Sequence, residues 1–184
     1  MKQNLLIALA VLISTHLAGQ DVFFTKTGTV VFDSSTPLET IHAENRQVTS
    51  FLKTSTGEIN FAALVKSFKF QNALMEEHFN ENYMESDQFA KAVFKGKIVN
   101  MDQIDTGKEE KQEADVEGEL VMHGVTKKVT VKAYLLPQAG KITGTSEFIV
   151  LPEEFGIKIP SLVREKIAKE VKVSVVMNYE KYTK

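Results

Sequence analysis

The chain has no cysteine and no tryptophan, and only 4 prolines in 184 residues. Without cysteine it forms no disulfide and offers no thiol for metal binding or nucleophilic attack, so its stability must come from packing. Charge of one sign is also missing: 22 basic and 24 acidic residues give a formal charge of −2. That excludes the basic excess of a nucleic-acid or membrane-surface binder. No Gly-rich phosphate loop, no fixed-period repeat, no strand–helix alternation and no serine on a nucleophile elbow occurs. No pair of histidines has the spacing of a metal site.

One apolar run stands at the start. Lys2 precedes Leu5–Ile13, and small residues Ala18 and Gly19 follow. The run is short of the ~20 residues that span a bilayer, so residues 1–19 read as a signal peptide cleaved near Gly19. No cysteine follows it, which excludes a lipoprotein anchor. Residues 20–184 then form one domain, expected in the periplasm or secreted, with a formal charge of −3 once Lys2 is gone. A chain of this length buries about 70% of its unfolded surface on folding.

What is present is alternation. Thr27–Phe32, Gln47–Lys53, Glu58–Val65, Ala92–Val99, Val116–Met122, Val129–Leu135, Lys141–Leu151 and Val171–Tyr179 have the period of two that marks half-buried strands. Phe68 and Phe70 share a face but fall out of phase with Val65, which predicts a break near Lys66–Ser67. The period changes to helical over about 72–86, with Asn72 as N-cap and Glu76, Glu77 and Glu81 opposite an apolar side. A shorter helix is expected at about 161–169, capped by Ser161. Asp102–Asp115 reads as a charged, solvated tip. The fold class is therefore all-β: eight sequential antiparallel strands closing into a barrel, with one longer and one short helix.

An eight-stranded barrel is filled by side chains or holds one small ligand. All 12 phenylalanines lie beyond residue 19. Gly96, Gly118, Gly144 and Ser146 lie among large residues on the expected inner faces and point to unfilled space. A cavity of that kind selects an elongated hydrocarbon. From the alternation, its wall comprises Phe61, Phe68, Phe70, Phe94, Ile98, Leu120, Met122 and Val175, with Tyr83 and His78 near the mouth if the helix caps it. His78 is read as a rim residue. His123, beside Gly124, is read as a turn residue bonding local backbone. No catalytic residue, metal ligand or cofactor is assigned. Nothing demands an oligomer, and both monomer and dimer are compatible with the sequence.

These segments resemble the YceI-like family of secreted bacterial proteins. The resemblance rests on Glu77–Ser86, Phe94-Lys-Gly96, Gly118–Thr126, Glu154-Phe-Gly-Ile157 and the strand Val171–Tyr179, in order and with matching spacing over most of 25–182. It implies an extended lipocalin-like barrel with an apolar tunnel that holds a polyisoprenoid chain such as an isoprenoid quinone tail or another lipid, and a role in lipid carriage rather than catalysis. One departure is that Asn72–His78 contains no arginine where family members commonly carry one, so the headgroup does not transfer. Two other readings compete: an interaction or stress-response module with no ligand, and an isomerase or hydrolase using His78 or His123 with a glutamate. The enzyme would require a histidine in hydrogen-bond reach of a carboxylate and facing a cavity.

Overall fold

The computed structural model describes residues 21–183; the leader expected at 1–19 lies outside them. The strands are β1 Val22–Ser35, β2 Thr40–Lys53, β3 Glu58–Leu64, β4 Lys69–Phe70, β5 Lys91–Ile98, β6 Gln112–Met122, β7 Val125–Gln138, β8 Lys141–Val150 and β9 Val171–Lys181. All pair antiparallel in the order β1-β9-β8-β7-β6-β5-β3-β2-β4, and β1 also pairs with β2. That last pairing closes an eight-stranded barrel, and the two-residue β4 is an extra strand on β2.

Turn chemistry sets the register. His123 and Gly124 have φ of 51° and 74°, and Ala139 and Gly140 have 50° and 76°. Two consecutive left-handed residues make the two-residue hairpin turn whose twist matches that of paired strands. β6 therefore meets β7 from Met122↔Val125 onward, and β7 meets β8 from Gln138↔Lys141. Alternation then sorts the faces: Val48, Ser50 and Leu52 of β2, and Val175, Met177 and Tyr179 of β9, point inward and are buried. Charged residues ladder outside, as where Lys132 meets Asp115 at 2.5 Å and Glu113 at 2.6 Å.

The break expected near Lys66–Ser67 is a 3-10 turn, Val65–Ser67. Beside it the β2–β3 ladder ends at Thr49↔Ala62, and β2 resumes pairing with β4 at Glu44 and Ala43. The fully buried Asn45 bridges this seam. Its Nδ2 donates to the Leu64 carbonyl at 2.9 Å and its Oδ1 accepts from the Gln47 amide at 2.8 Å.

One end of the barrel is closely packed. Leu52, Ile98, Leu135, Ile142 and Tyr179 are its largest fully or almost fully buried side chains, each contributing about 1.5–3 kcal/mol by burial. The Tyr179 hydroxyl meets Ser50 Oγ at 2.7 Å, and Ser50 Oγ donates to the Asn60 carbonyl at 2.8 Å. Burial pushes the Tyr179 phenol up to about 12, against the opposing effect of its Ser50 hydrogen bond, so it stays neutral.

Two sequence expectations are corrected. The helix expected over 72–86 is a short α-helix, α1 Ala73–His78, followed by one π turn, Phe79–Tyr83. Asn80 Nδ2 donates to the Glu76 carbonyl at 2.8 Å, taking up the acceptor one turn back, and Met84 N bonds Phe79 O at 2.9 Å to close the wider turn. No helix forms over 161–169. Ser161–Val163 is a 3-10 turn without a side-chain cap, and the chain then continues in turns. The Ala168 amide donates to Ser34 Oγ on β1 at 2.9 Å, so the barrel claims a donor that a helix would use internally.

Candidate functional site

Three cavities follow one another down the barrel from the end opposite Tyr179. The mouth cavity, about 350 Å³, lies between α1, the end of β1 and the β8–β9 loop. A middle cavity of about 140 Å³ has a wholly apolar wall, and a lower one of about 70 Å³ reaches Tyr179. The mouth and middle cavities share Phe32, Phe79, Pro152, Ile157 and Val171 as a common wall. The middle and lower cavities share Phe61, Leu120, Phe148 and Val175.

Local sequence builds the cover over the mouth. Asn72 caps α1, accepting from the Leu74 amide at 2.9 Å and the Met75 amide at 3.4 Å. Glu76 anchors the helix to β4: Lys69 Nζ donates to it at 2.6 Å, and the Phe70 amide at 3.3 Å. The Lys69 hydrogen bond holds the Glu76 carboxyl below its ordinary value against the opposing effect of burial, and the Phe70 amide adds to the lowering. Phe79 then inserts among Phe32, Phe68 and Phe70, with ring centroids 5.4, 5.8 and 5.0 Å away. No residue of α1 or of the π turn is fully buried, so the helix is a cover pinned chiefly by one aromatic ring and one carboxylate.

All ten residues singled out from the sequence border these cavities. Phe70, His78 and Tyr83 line the mouth; Phe68 and Met122 line the middle; Phe94 and Ile98 line the lower cavity. Phe61, Leu120 and Val175 form part of the wall between middle and lower. Phe32, Phe79, Phe148 and Ile157 were missed. Phe32 and Phe79 lie within a strand and a helix that the pattern identified, but nothing local showed that they would meet. Ile157 lies in a loop, where alternation gives no face.

Of the three cavities, only the mouth is lined by charged residues. Lys166 Nζ stands 3.6 Å from Glu39 Oε2, and Ser34, Asn72, His78 and Tyr83 complete the rim. Burial raises the Tyr83 phenol above its ordinary value, which keeps it a neutral donor. The geometry therefore presents apolar surface at depth and hydrogen-bonding groups at the opening, the arrangement that orients an amphiphile with its polar end outward.

The glycines are not free space. Gly96 and Gly118 face each other across β5 and β6. A Cβ on either would lie 2.5 or 2.7 Å from Phe94 Cζ, because the Phe94 ring lies over the pair. Likewise Gly144 has the Tyr179 ring over it, at 3.3 Å. The barrel uses these positions to lay aromatic rings flat on the wall.

Among the described residues, no histidine meets both conditions set for an enzyme. His42 Nδ1 bonds Asp33 at 2.7 Å but lines none of the three cavities. His78 lines the mouth without a carboxylate hydrogen bond. His123 packs on Phe89 at 4.6 Å, and its Nε2 lies 3.5 Å from Glu85 without a hydrogen bond. Its Nδ1 donates to the Phe155 carbonyl at 3.1 Å. That partner is 32 residues away, so His123 ties a hairpin to the β8–β9 loop and does not bond local backbone. Among the described residues, no group of three or more metal-ligating side chains converges.

A closed antiparallel barrel with a helix over an axial apolar cavity defines a lipocalin-like β-barrel class. Within it, the chain belongs to the YceI-like domain family, whose model matches residues 20–179. Solved structures share the fold at low identity. A polyisoprenoid binding domain from Saccharophagus degradans matches with a TM-score of 0.78 and 15% identity, over 89% of this chain and 99% of that one. BcnA of Burkholderia cenocepacia gives 0.69 and 14%, over 82% and 95%. The YCEI protein of Campylobacter jejuni gives 0.55 and 13%, over 99% and 100%. No curated protein matches the chain.

Proposed function

We propose that this protein binds and carries a lipid, with the apolar chain lying along the barrel axis and the polar end held at the mouth. The observation that carries this reading is the sequence of cavities itself: a polar-rimmed mouth leading into a chamber with no polar lining. Burial of a hydrocarbon there is favourable by about 25 cal/mol per Å². The name of the Saccharophagus degradans domain, which describes it as polyisoprenoid binding, supports the same class of ligand. Lys166, His78 and Tyr83 are the donors available to the headgroup, and Glu39 holds Lys166 in place. The leader-like residues 1–19 support export, with the carrier working in the periplasm or outside the cell. The protein acts by binding, without chemistry on its ligand.

Organic extraction of protein purified from a bacterial host, followed by mass spectrometry, tests this. A lipid recovered at near-stoichiometric amount is expected. Protein that carries none, and that fails to bind added prenyl or alkyl alcohols after delipidation, overturns the reading and leaves an interaction module.

A further inference from the structure

Resting on that reading, we propose that the mouth selects a lipid with an uncharged headgroup bearing acceptor oxygens, a quinone or an alcohol, and rejects a phosphate or pyrophosphate. Among the described residues, Lys166 is the only lysine or arginine that lines the mouth, and Glu39 lines it too. Glu39 Oε2 stands 3.6 Å from Lys166 Nζ, so the fixed charges of the wall cancel. A tight turn holds Glu39 in place: its amide donates to Thr36 Oγ1 at 3.2 Å, and the Thr36 amide donates to its carbonyl at 2.9 Å. The Glu39 side chain is only 28% exposed, so its charge is incompletely screened.

The other groups near the opening that bind anions are taken by the chain's own acceptors. Lys69 Nζ and the Phe70 amide both donate to Glu76. The first free amides of α1, those of Leu74 and Met75, donate to Asn72 Oδ1. The chain has two arginines. Arg46 pairs with Glu44 at 2.9 Å and Arg164 pairs with Glu153, and neither lines an axial cavity. Lys158 and Lys169, on the β8–β9 loop, line none either.

What the rim offers a headgroup is donors. Asn72 Oδ1 is spent on α1, which leaves its Nδ2, and Lys166, Tyr83 and His78 complete the set. Carbonyl and hydroxyl oxygens accept from such groups without bringing charge. A phosphate must instead set its negative charge beside the Glu39 carboxylate, where the one lysine is already neutralised. Like charges brought together in a partly desolvated site weaken binding steeply.

The test is competition against a fluorescent lipid on delipidated protein, in alkaline buffer where histidine is uncharged. One prenyl tail is carried in turn on an alcohol, a quinone, a monophosphate and a pyrophosphate. The alcohol or the quinone is expected to bind at least about tenfold tighter than either phosphate, and the tighter of the two identifies the headgroup. Glu39→Gln removes the carboxylate charge and should narrow that ratio by about tenfold. Leu74→Arg, which adds a cation at an exposed position of the lining, should narrow it independently. A phosphate that binds as tightly as the better neutral form, or more tightly, overturns the proposal. So does an unmoved ratio in both variants once circular dichroism shows them folded. Binding of no member of the set overturns the lipid-carrier reading and the proposal with it.

Discussion

The two ends of this barrel are built from the same strands and the same alternation, yet one is closely packed around a cavity of only about 70 Å³ and the other is hollow. Near Tyr179, the inward residues of β2, β5, β7 and β8 meet ring to aliphatic chain, and a hydrogen bond joins the buried Tyr179 and Ser50 hydroxyls. Near α1, the inward residues of β1 and β9 line space, and Phe79 comes from outside the barrel to close it. Stability is thereby concentrated at one end, which leaves the other able to open. A ligand that enters at the mouth need not disturb the packing that holds the fold.

That division is open to direct attack. The largest loss of stability is expected for Leu52→Ala at the closely packed end: about 3 kcal/mol in urea unfolding, with ligand affinity unchanged where the variant is folded, since Leu52 lines none of the three axial cavities. Equal damage to binding would show that the ends are coupled. Next, Phe79→Ala should cost about 2 kcal/mol or less, because the ring is only half-buried, but should speed lipid release severalfold in stopped-flow transfer to acceptor vesicles. Tyr179→Phe removes one hydroxyl while Ser50 keeps Asn60 as a partner, so a loss of about 1 kcal/mol is expected from thermal or urea unfolding.

The smallest effect concerns pH. The folded Glu76 carboxyl sits below its ordinary value because Lys69 and the Phe70 amide hydrogen-bond its charged form. Its contribution is therefore complete above the ordinary glutamate range and is lost as pH falls through the lowered folded value. As a partly exposed pair it contributes about 0.5 kcal/mol or less. Amide protection factors in Ala73–His78, taken relative to the intrinsic exchange rate at each pH, should fall on acidification, while those of the strands near Tyr179 stay high. Glu76→Gln should remove this component of the pH dependence.

The strands and their faces were legible because a period of two is a local signal. Val48, Ser50 and Leu52, or Val175, Met177 and Tyr179, announce an inward face wherever the strand is placed. What an inward residue meets is not local. Gly96 and Gly118 read as vacant space, but the vacancy is taken by Phe94 from two residues earlier, whose ring direction no alternation reveals. The expected helix at 161–169 failed for a similar reason: its competitor for the Ala168 amide, Ser34, is 134 residues away. His123 was placed in its turn correctly, but its bond to Phe155 depends on how the β8–β9 loop folds back. Ten cavity-lining residues were recoverable from pattern, whereas Phe32, Phe79, Phe148 and Ile157 in the wall and Lys166 at the rim were not.

The β1–β9 pairing has a consequence for how the chain is made. Val30 lies against Val175, so the first strand of the barrel must wait for the last. Every other seam of the barrel joins segments much closer in the chain and can form as they emerge. Until Val171–Lys181 arrives, β1 and β8 both present an unpaired edge, the kind of edge that recruits other chains. Closure also carries the largest loop entropy of any pairing in the molecule, which makes it the step expected to limit folding. A barrel of this design is thus most exposed to aggregation just before β9 docks, and shielding those two edges during folding guards against it.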